Sequence, residues 1–128
     1  SHTFFVTGPG NIDELVPLDP NVAFEVVGGA IRRHVFCAEH AGVQTCELDA
    51  LRGGDAELNA RIATRILSGE RGAPRDAVVM NAGLALLAAG RAESLRDGCE
   101  RCASVIDRGM ARDLLETLRS CRDGSGPV

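Results

Sequence analysis

The chain has 128 residues and a formal net charge of −4, from 14 basic and 18 acidic side chains. By length it is one domain, able to hide roughly 65–70% of the surface its unfolded form exposes. Its acidity, its scattered basic residues and its lack of Trp and Tyr exclude the usual platforms for a nucleic-acid partner. Five cysteines, an odd number among long helical patterns, fit reduced thiols and a cytoplasmic chain better than a disulfide frame. No apolar leader of signal type opens the sequence, and Ser1-His2 reads as the scar of an expression tag.

The run Thr3-Phe-Phe-Val-Thr7 is apolar, β-branched and aromatic, which predicts a buried core strand stopped by Gly8-Pro9-Gly10. Two adjacent carboxylates, Asp13 and Glu14, follow that turn, and Pro17 and Pro20 prevent a regular helix after them. Residues 22–27 and 30–36 are extended runs joined by Gly28-Gly29, which predicts a β-hairpin on a two-residue turn. Phe24 and Val26 share one face of its first strand, while imperfect alternation in the second leaves the register open.

Beyond Phe36 the pattern changes from period two to helical period. Residues 47–52 make a turn or two, closed by Gly53-Gly54. Asp55 caps a helix with Leu58, Ile62, Ala63, Ile66 and Leu67 on one stripe. The segment from Asp76 to about Ala89 is apolar nearly all round, with Asn81 its one strongly polar residue, and predicts the most buried helix of the fold. Asp76 suits its N-terminal end and Gly90 its close. Its thirteen residues from Ala77 to Ala89 are too few to span a bilayer, so no membrane is expected. Asn81 must find a partner inside, because a buried polar group without one costs about 1–3 kcal/mol. Ser94 and Asp97 form a capping box that opens a helix with Cys99, Cys102, Ala103 and Ile106 on its stripe. A last helix from about Met110 turns Leu114, Leu115 and Leu118 toward the core, and residues 123–128 form a frayed tail.

Three constellations could carry chemistry. Asp13 and Glu14 are hard oxygen donors of the kind that hold Mg²⁺ together with substrate phosphates, although on spacing alone a solvated acidic turn is the commoner meaning. Cys99 and Cys102 have the spacing of half a zinc site or of a redox pair, but they lack a second pair or a thioredoxin-like setting and lie on a packing stripe, which favours free thiols. His34 and His40 have no neighbouring nucleophile or metal-type partner in sequence. Gly8-Pro9-Gly10 lacks a following helix start and reads as a plain turn.

The runs Leu51-Arg-Gly-Gly-Asp55, Asn59-Ala60, Gly72-Ala-Pro-Arg75-Asp76-Ala-Val-Val-Met-Asn81-Ala82, Leu87-Ala-Ala-Gly90 and Ala92-Glu-Ser-Leu95 closely resemble the C-terminal part of the anthranilate phosphoribosyltransferase family. Upstream, Ile12-Asp13-Glu14-Leu15 is similar to the family's Gly-Leu-Asp-Glu segment, with Ile12 for the usual Leu and Thr7 where the family often has His. The resemblance implies an α/β fold, the C-terminal portion of the nucleoside phosphorylase and phosphoribosyltransferase catalytic domain over residues 3–122. A fragment of that kind, read bottom-up, is α+β: one core strand, a hairpin and four to five helices.

The resemblance also implies the parent chemistry, transfer of the phosphoribosyl group of phosphoribosyl pyrophosphate to anthranilate in tryptophan biosynthesis. Asp13 and Glu14 correspond to acids that bind the accompanying Mg²⁺, and the parent forms a homodimer. The family's Gly-Thr-Gly-Gly phosphate loop, its Lys-His-Gly-Asn segment and its anthranilate-contacting arginine have no counterpart in these 128 residues. The sequence therefore reads as a fragment whose missing N-terminal part is its first partner, and which is inactive alone. Two other classes fit less well: a non-catalytic binding module related to the family, and a piece of a pyrimidine nucleoside phosphorylase relative.

Overall fold

The structure, a computed structural model, describes residues 2–122. It begins with three strands, β1 (His2–Thr7), β2 (Asn21–Val27) and β3 (Ala30–Phe36), in one antiparallel sheet of order β1-β2-β3. Five helices follow, α1 (Ala38–Ala41), α2 (Ala56–Leu67), α3 (Ala73–Ala88), α4 (Leu95–Asp107) and α5 (Met110–Arg122), so the architecture is the mixed α/β one expected. β1 takes in His2, so that residue belongs to the sheet whatever its origin. The predicted tail over 123–128 lies outside the described residues.

The hairpin turns on Gly28 and Gly29, with φ of 58° and 81°, the left-handed pair that a tight two-residue connection needs. It fixes the register that the sequence left open. Phe5 faces Phe24 across β1 and β2, and Val22 and Val26 face Val35 and Ile31 across β2 and β3. Phe4, Val6 and Phe36 on the opposite face pack against the helical core, and Ala23 beside them is fully buried. At the hairpin end of that face Glu25 is bracketed by His2, 2.8 Å from Oε1, and His34, 2.9 Å from Oε2. The His34 contact, opposed by desolvation and reinforced by the His2 contact, holds the Glu25 carboxyl below its usual range.

The other face of the sheet corrects the reading of residues 3–7 as a buried strand. Phe5 is 63% exposed and Ile31 70%, and Phe24 and Val35 are exposed beside them. Burial in β1 alternates residue by residue instead of covering both faces.

α3 has more buried positions than any other described helix: Arg75, Ala77, Val79, Met80, Gly83 and Leu84. Two details differ from expectation. The helix starts at Ala73 after Gly72, with Pro74 in its first turn, so Asp76 is a first-turn residue and not the cap. Proline is favoured there because its missing N–H would have no intrahelical partner anyway. Val78 and Ala85 reach the surface, so the burial is not all-round. The C-terminal end closes as expected, with Gly90 at φ 65° and hydrogen bonds from Gly90 N to Leu87 O and from Arg91 N to Leu86 O.

α4 crosses α3 at glycines. A Cβ on Gly98 would lie 2.4 Å from Gly83 O, and one on Gly83 would lie 2.7 Å from Cys99 N, so the backbones touch where neither residue has a side chain. Ser94 caps α4 by accepting from Asp97 N at 3.1 Å, while the Asp97 carboxylate accepts from Glu93 N, one residue earlier than in a standard box. In α2, Asp55 accepts from Leu58 N at 2.8 Å, and the stripe buries Ile66 with Ile62 and Leu67 half-buried, while Leu58 and Ala63 are exposed. α5 departs further from expectation. Leu114 and Leu118 are 60% and 59% exposed, and only Leu115 of the three is half-buried. The helical period therefore does not turn this stripe to the core: among the described residues little packs against Leu114 and Leu118.

Candidate metal site

The segment after β1 doubles back sharply. Gly8 N donates to Ile12 O at 2.7 Å, and a Cβ on Gly8 would lie 2.8 Å from Glu14 O and 3.1 Å from Val16 Cγ2. Only glycine allows that approach. Pro9–Asn11 form a single 3-10 turn in which Gly10 and Asn11 are left-handed, at φ 68° and 65°. This reversal sets Asp13 and Glu14 side by side at the surface, both exposed.

The chain then dives. Leu15 is fully buried within the central cluster of Val79, Met80, Leu84 and Cys99, and Val16 and Pro17 are buried after it. No strand or helix satisfies the peptide groups here, so side chains do. Asn81 of α3 accepts from Leu15 N at 2.9 Å and donates to Leu15 O at 2.7 Å and to Ala77 O at 2.9 Å. Asn21, with no exposed surface, accepts from Val16 N at 2.9 Å and donates to Val16 O at 3.0 Å, Leu18 O at 2.8 Å and, at 3.3 Å, Phe36 O. Two amides from separate elements thus hold consecutive peptides just after the acidic pair. Asn81 has the internal partners expected of it; that the partner is this loop could not be read from the sequence.

Glu14 lines a surface cleft of about 430 Å³ with Ile12, Val16, Leu51, Arg52 and Ala77. Arg52 carries its own counter-ion, Asp49 at 2.8 Å. Neither Asp13 nor Glu14 is committed to an ion pair or side-chain hydrogen bond within the described residues. The donor set fits Mg²⁺ of a particular kind. Two adjacent, open carboxylates supply hard oxygens, while among the described residues no group of three His, Cys, Asp or Glu side chains could hold a metal by itself. Such a pair leaves the rest of the coordination shell to water and to a phosphate-bearing substrate.

The other sequence candidates sit elsewhere. Cys99 is buried at the helix crossing, and desolvation, then Cys102, pushes its thiol up to about 12. Cys102 is half-buried and also raised by burial. His34 binds Glu25, and His40 Nδ1 accepts from Cys37 N at 3.0 Å at the start of α1. Arg75 was not legible as a buried residue. It is 4% exposed, pairs with Asp107 at 2.7 Å and donates to Ala103 O at 3.3 Å, joining the start of α3 to the end of α4. Beside it, burial raises the Asp76 carboxyl against the opposing pull of Arg75 and Arg71.

Residues 1–112 match the sequence profile of the glycosyl transferase family, a/b domain. The chain belongs to this family. Anthranilate phosphoribosyltransferase of Anaeromyxobacter dehalogenans strain 2CP-C is 44% identical over 118 residues, covering 92% of this chain and 35% of that protein. The protein of the same name from Pelotomaculum thermopropionicum is 41% identical over 132 residues, covering 100% of this chain and 38% of its own length. Among solved structures, anthranilate phosphoribosyltransferase from Thermus thermophilus matches with a TM-score of 0.81 at 37% identity, over 91% of this chain and 34% of that one. The Saccharomyces cerevisiae protein, solved in complex with PRPP and Mg, matches with a TM-score of 0.78 at 25% identity, over 91% of this chain and 34% of that one. This member of the glycosyl transferase family spans about a third of the length of the curated relatives it matches.

Proposed function

We propose that the chain is a piece of an anthranilate phosphoribosyltransferase, and that Asp13 and Glu14 hold the Mg²⁺ accompanying phosphoribosyl pyrophosphate. The observation that carries this reading is the acidic pair itself: two unpaired, exposed carboxylates on a loop fastened at Leu15 and Val16, in a chain 44% identical to a protein of that name. When bound, the metal would offset charge on the pyrophosphate as it leaves. What this chain supplies is position. Gly8 lets the loop fold back, Leu15 anchors it in the core, and Asn81 and Asn21 fix its peptides. Nothing on the loop needs to move a proton.

The acceptor, anthranilate, and the phosphoribosyl donor would be held largely by the N-terminal part that the relatives have beyond this third. The exposed sheet face of Phe5, Phe24, Ile31 and Val35 is a surface suited to cover by that part. The complete enzyme would work as a cytoplasmic homodimer in tryptophan biosynthesis. Positioning substrates and metal together can contribute about 7–11 kcal/mol to such a reaction, so the 128 residues alone should be inactive.

The test uses the loss of anthranilate fluorescence. The chain alone should leave anthranilate unchanged. Joined to, or mixed with, the remaining two-thirds of a full-length relative it should support turnover, and Asp13→Asn with Glu14→Gln should abolish it. Conversion by the isolated chain would place the active site wrongly here, and an inactive but folded chimaera would sink the assignment.

A further inference from the structure

We infer that Asn81 is a positioning residue for the acidic pair, setting the direction of Asp13 and Glu14 from the middle of α3. This rests on the metal reading above. Four observations support it. The Asn81 amide makes two hydrogen bonds to one residue, Leu15, the residue that directly follows Glu14 in the chain. Its third bond, to Ala77 O, ties the amide back onto its own helix and fixes its orientation. The carboxylates have no ion pair or side-chain hydrogen bond of their own within the described residues, so their placement depends on the backbone beneath them. Finally, α3 packs backbone to backbone against α4 at the Gly83 and Gly98 crossing, about half a turn from Asn81, which gives the amide a close-packed base.

A purely structural role for Asn81 would be to satisfy the buried peptide groups of Leu15. Asn21 does that for Val16, and it also spreads its contacts to Leu18 and Phe36. Asn81 instead concentrates on the residue adjoining the pair. Groups that orient a ligand from behind commonly change metal affinity by 10-fold or more when removed, which separates the two roles experimentally.

The 128-residue chain, labelled with ¹⁵N, is titrated with Mn²⁺ as the probe ion, and paramagnetic broadening of the amides around Asp13 and Glu14 gives the apparent affinity. Asn81→Ala should weaken that affinity by about 10-fold or more and speed amide exchange at Leu15. Ile66→Ala on α2, which loosens the core outside both the Asn81–Leu15 clamp and the α3–α4 crossing, should leave the Mn²⁺ broadening as in the unsubstituted chain. Asn81→Ser is measured alongside, in case the alanine variant does not fold. Broadening that persists in Asp13→Asn with Glu14→Gln, or that is absent from the unsubstituted chain, would overturn the metal reading and this inference with it. If that double variant loses the broadening while Asn81→Ala and Asn81→Ser bind Mn²⁺ like the parent, only the positioning role fails. A Leu15 amide that exchanges at the rate of open solvent in the unsubstituted chain would overturn it without any variant.

Discussion

Cys99 and Cys121 have the same chemistry in opposite surroundings. Burial holds the Cys99 thiol protonated up to about 12, and its sulfur would lie 2.8 Å from a Cβ on Gly83, whereas Cys121 is exposed on α5. The thiolate is the reactive form, so a raised pKa and a closed site act in the same direction. Timed alkylation at pH 8 followed by mass spectrometry should therefore modify Cys121 first and Cys99 last, by a factor of at least about 100. Equal rates would contradict the packing described. The helical spacing of Cys99, Cys102 and Ile106 made the packing role readable in advance. The same kind of reading failed for Arg75, because nothing near it in sequence announces Asp107, its partner across the helix pair. It half-succeeded for Asn81: the need for a partner follows from polarity and burial, but the partner lies 66 residues away.

At the scale of elements, the two glycines where α3 meets α4 decide how closely the helices approach. Replacing a helix-interior glycine by alanine ordinarily stabilises by roughly 0.5–1 kcal/mol. At Gly98 the added Cβ would meet the Gly83 carbonyl oxygen at 2.4 Å and its carbonyl carbon at 2.9 Å, contacts with backbone that cannot swing aside. Overpacking of that kind costs about 1–3 kcal/mol, which exceeds the propensity gain. Gly98→Ala should thus lower the urea midpoint of unfolding, and a midpoint that rises would mean the helices are free to separate. Elements with strong local signals were legible in sequence: the Gly28-Gly29 hairpin, the Asp55 and Ser94 caps and the Gly90 stop all fall where expected. The start of α3 was not, because Pro74 looks like a breaker until Gly72 is seen to begin the helix ahead of it.

Across the whole molecule, the sheet presents its most apolar side outward. Phe5, Phe24 and Ile31 add little to the stability of the chain as described, since water already reaches them. Phe5→Lys with Ile31→Glu should shift the thermal unfolding of the isolated chain only slightly, within about 0.5 kcal/mol, as for ordinary surface changes. The same pair should sharply reduce binding of a dye such as ANS, and should block turnover in the chimaera or mixture with the rest of a relative. A large loss of stability in the isolated chain would show that this face is not open. The apolar run of residues 3–7 marked both sides of β1 for burial. The described residues cover one of them, and periodicity cannot say whether the cover comes from the same stretch of chain. The exposed Leu114 and Leu118 on α5 misled for the same reason.

The fastening of Leu15 has a mechanical consequence. α3 and α4 meet backbone to backbone, and Asn81 bolts the carboxylate loop to that pair at Leu15, while Asn21 at the start of β2 bolts the next residue, Val16, to the sheet. The acidic pair therefore stands just ahead of the seam where the loop is tied to helix and sheet in turn, and a shift of one against the other would be transmitted to both carboxylates.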